Sequence, residues 1–232
     1  MKTLVLGDIH GRTCWKDITS EQDYDKVVFL GDYFDTHEDI SYKQQIENFE
    51  NVLSFKSDYP EKVVLLLGNH DNSYFSDERC SGYSFKYADA IKSILHEADD
   101  LGYLQITCIQ GDILMSHAGV TKYWLHEVAK HSDVTEISMK DEAALLFNCL
   151  KGGDMYGNSI SQGPLWIRPE ALLKDAVKDY RQIVGHTGFS KPVYIDGIYF
   201  NDLLPNYYIV IEEGAINYIN NGTKEIYNNN PV

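Results

Sequence analysis

The sequence predicts an α/β chain whose first half builds a largely parallel sheet. Three observations carry this. Short runs rich in valine, isoleucine and leucine recur, helical-period segments separate them in the first half, and five runs stop at a tight, glycine-marked turn bearing Asp, Asn or His. The runs are residues 3–6, 27–30, 63–67, 113–115, 183–184 and 207–211, each too short for a helix and apolar enough for a buried strand. Between the second and third, residues 42–55 place Tyr42, Ile46, Phe49, Val52 and Leu53 on a helical period. Residues 85–98 repeat the pattern with Phe85, Ala88, Ile91, Ile94, Leu95 and Ala98. Trp124, Leu125 and Val128 suggest a short third helix and residues 143–150 a fourth. The last third changes character: Tyr-, Ile- and Val-rich runs from 193 to 219 are broken by Asp196-Gly197 and Glu212-Glu213-Gly214, which is hairpin chemistry. Residues 152–164 read as a long loop, and the polar stretch after Asn220 as a frayed tail.

Composition narrows the class. The 232 residues are 44% hydrophobic and 24% charged, the balance of a globular chain, which excludes a disordered, collagenous or disulfide-scaffold protein. No apolar run exceeds five residues, against about 20 for a membrane span. An acid at position 8 interrupts any secretory leader before it can form. Cys14, Cys80, Cys108 and Cys149 lie far apart and read as reduced thiols, so a cytoplasmic setting is expected. A net charge of −15 repels a phosphate backbone and argues against a broad nucleic-acid face. Arginine is scarce, at 12, 79, 168 and 181 only, which matters once an anion must be held.

The chemistry sits at the strand ends. The runs end in Gly7-Asp8-Ile9-His10-Gly11, Gly31-Asp32-Tyr33-Phe34-Asp35, Gly68-Asn69-His70-Asp71, Ser116-His117-Ala118-Gly119 and Gly185-His186-Thr187. Carboxyl ends of strands in an open α/β sheet converge on one crevice, which would gather Asp8, His10, Asp32, Asn69, His70, His117 and His186. Oxygen and imidazole donors suit Mn²⁺, Fe²⁺ or Zn²⁺. Seven groups are too many for one tetrahedral zinc, so a two-metal site with a bridging carboxylate is expected.

The series GDIHG, GDYFD, GNHD, SHAG and GHT, in that order over residues 7–187, resembles the calcineurin-like metallophosphoesterase superfamily, and within it the phosphoprotein phosphatase and diadenosine-tetraphosphatase branch. The resemblance implies a four-layer αββα sandwich, two central mixed sheets between helical layers, with the active site at the strand carboxyl ends. It implies one domain over residues 1–220, followed by a polar tail at 221–232. By the same resemblance Asp8 and His10 bind a first metal, Asp32 bridges, and Asn69, His117 and His186 complete the second. His70 is the implied proton donor and Asp35 its orienting acid.

The expected activity is therefore a two-metal phosphoesterase, manganese being the first choice of ion and iron or zinc the others. A metal-bridging hydroxide would attack phosphorus in line, with no covalent enzyme intermediate. The expected substrate is a phosphomonoester on a protein or a small molecule. The alternatives are a dinucleoside polyphosphate or nucleotide diester, or a metal-binding scaffold without catalysis. Tyr33, Phe34, Tyr74 and Tyr156 are the aromatic residues that would stack a nucleobase. One departure stands out: phosphoprotein phosphatases read Gly-Asp-x-x-Asp-Arg-Gly at the second motif, whereas this chain continues Asp35-Thr36-His37. Arg168, in Leu165-Trp166-Ile167-Arg168-Pro169, is the leading substitute for the missing arginine, with Asn69, Arg12 and His37 as further phosphate contacts.

Overall fold

The computed structural model describes residues 1–76, 79–147 and 156–227. In chain order the elements are β1 (Lys2–Leu6), α1 (Cys14–Ser20), β2 (Lys26–Phe29), α2 (Tyr42–Asp58), β3 (Val63–Leu66), α3 (Asn69–Asn72), α4 (Ala88–Asp100), β4 (Leu104–Gln105), β5 (Thr107–Gln110) and β6 (Ile113–Ser116). A π-helical turn (Trp124–Val128) and a 3₁₀ turn (Val134–Glu136) follow, then α5 (Glu142–Leu145), α6 (Pro169–Asp175), β7 (Arg181–Gly188), β8 (Val193–Ile195), β9 (Ile198–Asp202), β10 (Tyr207–Glu212) and β11 (Ala215–Asn220).

Two mixed sheets result, ordered β11-β10-β1-β2-β3-β4 and β5-β6-β7-β9-β8. β1 through β4 run parallel, as do β6, β7 and β9, while β10, β11, β5 and β8 pair antiparallel at the flanks. Side-chain alternation sorts the core into layers. Leu4, Leu6, Val27, Phe29, Val63 and Leu65 face the helices, packing with Trp15, Ile18, Phe49, Val52, Ile91 and Leu95. Their strand neighbours Val5, Val28, Val64 and Leu66 pack with Ile113, Met115 and Ile183 between the sheets. Val184, Ile198 and Phe200 meet Ala171 and Leu172 of α6 on the far side. Both faces of the parallel strands are thus covered, which is why they read as continuous apolar runs.

The sequence reveals the buried apolar strands and the two long helices but not several short or polar elements. α2 starts at Tyr42 because Ser41 and Gln44 form a reciprocal capping box. It continues three residues beyond the expected end. Phe85 does not join α4, which begins at Ala88; its ring is 73% exposed. α1, α6, β4 and β5 were not foreseen, being too short or too polar for a period to register. The chain changes sheet at Ile106, between β4 and β5. Of the helix expected at 143–150, α5 covers Glu142–Leu145 and residues 148–150 lie outside the described residues, as does Cys149. Beyond Asn220 the chain is not frayed as far as residue 227: it folds back, with a bridge between Ile219 and Ile226 and a 2.6 Å Lys224–Glu21 ion pair.

Candidate metal centre

Backbone conformation announces the site. Outside glycine, positive φ is rare, yet His10 (44°), Asp32 (52°), Asp35 (62°) and His186 (64°) all adopt it at the turns after β2 or beside β1 and β7. Such left-handed residues persist only where the surroundings enforce them, and they concentrate where side chains must be aimed. Two glycines give the acids room. A Cβ at Gly68 would lie 2.1 Å from Oδ1 of Asp32, and one at Gly185 2.1 Å from Oδ1 of Asp8.

The aimed groups form two clusters that share Asp32. Donor atoms of Asp8, His10 and Asp32 all lie within 4.8 Å of one another. His10 places Nδ1 2.7 Å from the carbonyl of Phe34, leaving Nε2 toward Asp32 at 3.8 Å. On the other side Oδ2 of Asp32 is 3.5 Å from Nε2 of His117. Oδ1 of Asn69 is 2.8 Å from both His117 Nε2 and His186 Nδ1. His117 fixes its ring through Nδ1 at 2.9 Å from the carbonyl of Leu30, the outer hydrogen bond expected of a metal-ligating imidazole. All seven residues foreseen at the strand ends are brought to this crevice.

Charge explains what the crevice can hold. Burial pushes the Asp8 carboxyl up, helped by Asp202 and Asp32, against hydrogen bonds from the His186 amide at 3.1 Å. Burial would raise Asp32 too, but His117, His70, His10 and His186 together draw it below the usual carboxylate range. Burial pushes His10, His117 and His186 down, toward the neutral imidazole that coordinates metals. Two buried acids, three neutral imidazoles and an amide oxygen make an anionic, oxygen- and nitrogen-rich cage without thiolate, and divalent first-row cations fit it.

His70 stands at the edge of the same crevice. Its amide donates to Oδ1 of Asp32 at 2.9 Å, and its Nδ1 is 3.4 Å from Oδ2 of the fully buried Asp35. Burial alone would lower this imidazole, but Asp32 and Asp35 outweigh it and hold it up at about 9. Asp35 is itself anchored: its Oδ1 accepts from Tyr74 at 2.6 Å and Tyr42 at 3.1 Å, and its amide donates to Gln45 at 2.8 Å.

A family model for the calcineurin-like phosphoesterases matches residues 1–204. The chain belongs to that family. It is a hydrolase of phosphoric esters. Among solved structures, a cold-active protein-tyrosine phosphatase from a psychrophilic Shewanella is similar with a TM-score of 0.62 at 18% identity, over 98% of this chain and 80% of that one. A protein serine/threonine phosphatase from Saccharomyces cerevisiae matches at 0.59 and 15%, over 92% and 73%. At such identities the likeness is one of fold, and it agrees with the two mixed sheets and their helical layers.

The phosphoesterase crevice opens into a cavity of about 870 Å³ lined by Asn69, His70 and His186 at its floor. Arg168 lines the cavity beside that floor: its Nη1 donates to the carbonyl of His186 and to Oγ1 of Thr187, both at 3.1 Å. Arg12 is placed differently. Its Nε and Nη2 are both 2.7 Å from Glu38 and its Nη1 3.1 Å from the carbonyl of Asp8, so it braces the first motif outside this cavity. His37 is exposed and does not line it. Of the aromatic residues expected to stack a base, Tyr33, Phe34 and Tyr74 are instead buried in the core, and only Tyr156, 78% exposed, lines the cavity. The sequence missed Tyr42, Tyr74 and Gln45 as supports of Asp35, Asp202 as the neighbour of Asp8, and Arg79 and Cys80 in the cavity wall. No helix among the described residues is long and apolar enough to cross a membrane.

Proposed function

We propose that this phosphoesterase hydrolyses phosphomonoesters of the kind carried by phosphoserine or phosphothreonine in proteins, using two divalent cations. The observation that carries the reading is the pair of donor clusters meeting at Asp32, one with Asp8 and His10, the other with Asn69, His117 and His186. Manganese is the expected occupant of both. When bound, the cations supply Lewis acidity to phosphoryl oxygens and to a water.

The chain's own residues do the rest. Arg168 presents a guanidinium beside His186 to grip phosphate oxygens, in place of the arginine absent after Asp35. Asp35 occupies Nδ1 of His70, which leaves Nε2 to deliver a proton to the leaving alkoxide. Tyr74 and Tyr42 hold Asp35 still, so the imidazole keeps one orientation. The described cysteines Cys14, Cys80 and Cys108 are free thiols, which supports a reducing, cytoplasmic setting.

A substrate panel on chelated, Mn²⁺-reloaded protein tests the reading. Phosphoserine peptides and p-nitrophenyl phosphate are expected to turn over, and only after reloading. Preferential cleavage of bis-nucleoside polyphosphates or cyclic nucleotides would replace it with one of the alternatives.

A further inference from the structure

The four arginines divide into two pairs. Arg12 is neutralised by Glu38 at 2.7 Å, and Arg181 holds Asp112 through two 2.8 Å bonds. Arg168 and Arg79 have no carboxylate partner among the described residues, and both line the cavity above the candidate metal centre. Among the described lining residues the one carboxylate, Glu170, is itself paired with Lys174 at 2.7 Å. In a chain of net charge −15, two guanidiniums in one cavity, neither paired with a carboxylate of the described residues, mark a place suited to anions.

Arg79 is not placed to share the task given to Arg168. Its Cζ lies 5.2 Å from the Tyr83 ring centre and 4.8 Å from that of Phe85. Tyr83 stacks in turn on Tyr74 at 4.6 Å, and Tyr74 donates to Asp35. The Tyr74–Tyr83 stack therefore separates Arg79 from the acid that orients His70, which puts it on the rim and not at the floor. A guanidinium packed on ring faces keeps its in-plane N–H groups free to fork a carboxylate. The residues that follow it are tied down. Tyr42 donates to the carbonyl of Gly82, the Ser84 amide donates to Tyr74 at 3.1 Å, and the Cys80 amide donates to Ser73 at 3.1 Å. The exposed Phe85 lies outside α4 and packs against both the arginine and Tyr83.

We propose that Arg79, packed against Tyr83 and Phe85, is a second anion subsite that selects phosphoproteins bearing an acidic side chain within a few residues of the phosphorylated one. This rests on the protein-phosphatase reading given above. The test uses two phosphoserine peptides that differ only in flanking glutamates against glutamines, assayed on the Mn²⁺-loaded full chain. Wild type is expected to favour the acidic peptide in kcat/KM by about threefold to fivefold at low salt, the range of an exposed ion pair, with the ratio shrinking as salt rises. Arg79→Ala is expected to bring the ratio to about one, and Arg79→Glu to push it below one. A ratio that survives in Arg79→Ala overturns the subsite, even if both rates fall, because a merely disturbed loop lowers both alike. Equal turnover of the two peptides by wild type also overturns it while leaving the protein-phosphatase reading standing. Hydrolysis of p-nitrophenyl phosphate with neither peptide cleaved overturns both.

Discussion

The floor of the active-site cavity and its outer wall are built on opposite plans. The floor is made by strand ends: each functional side chain follows or closes a buried run anchored in a sheet and stands within two residues of a glycine. The wall is made by segments without regular structure, around Arg79 to Phe85 and Tyr156 to Arg168, held by side-chain hydrogen bonds and ring contacts from distant positions. The difference teaches how the work is divided. A floor fixed by the sheets can serve one phosphoryl chemistry, while a wall fixed by side chains decides what is attached to the phosphate.

Substitutions in the floor should therefore cost far more than those in the wall. Asp32→Asn is expected to do the most damage, since both donor clusters lose their shared carboxylate. Loss of bound metal by elemental analysis, and of turnover by at least about a thousandfold, is the expected result; an Asp32→Asn protein that keeps two ions would break the comparison at its centre. His70→Asn comes next. It should retain its metals yet lose about 100- to 10,000-fold in kcat on alkyl phosphates, with p-nitrophenyl phosphate suffering less because its leaving group scarcely needs a proton. An equal loss on both substrates would show that His70 positions and does not protonate.

The same division governs what could be read from the chain. Asp8, His10, Asp32, Asn69, His70, His117 and His186 were legible because a chemically capable residue beside glycine at the end of an apolar run is a local pattern, and a sheet turns five local patterns into one place. Asp35 was named by resemblance, but its supports were not, because Tyr42 and Tyr74 reach it from α2 and from the segment after α3 with no signal in spacing. Arg12 and His37 lie near the motifs in sequence yet away from the cavity, whereas Arg79 is in the cavity without belonging to any motif. Proximity in sequence stands in for proximity in space only where regular structure carries the one into the other. The missed elements follow suit: β4 and β5 are strands only because a sheet edge receives them.

Arg168 lies where floor meets wall, and its effect should be intermediate. Its side chain touches the His186 carbonyl and Thr187, while its Nε reaches the carbonyl of Tyr156 at 3.4 Å. A charge-assisted hydrogen bond to phosphate is worth about 1.5–3 kcal/mol, so Arg168→Ala should lose about 10- to 100-fold in kcat/KM, mostly as a raised KM. Arg168→Lys keeps the charge without the fork and should fall between. If neither variant moves KM, the phosphate is gripped elsewhere.

The smallest effect is thermodynamic and distinguishes the metal-free floor from the loaded one. His70 holds its proton up to about 9 in the fold against an ordinary 6.5, and burial beside Asp32 lifts Asp71 to about 8 from 3.8. In both cases the folded chain binds more protons than the unfolded one, so the stability each contributes is lost as pH rises through these ranges. His10, His117 and His186, pushed below 6.5, act oppositely, but their contribution is complete once the unfolded imidazoles have lost their protons. Above about pH 7.5 the falling contributions therefore act unopposed within the site. The chelated protein should lose Tm steadily from about pH 7.5 to 9 in a calorimetric series. Added Mn²⁺ should raise Tm by an increment that grows over the same range, because deprotonated ligands bind cations better. A chelated protein whose Tm climbs toward pH 9 would mean that the cage is not assembled before metal arrives, and that the sheets alone do not fix the floor.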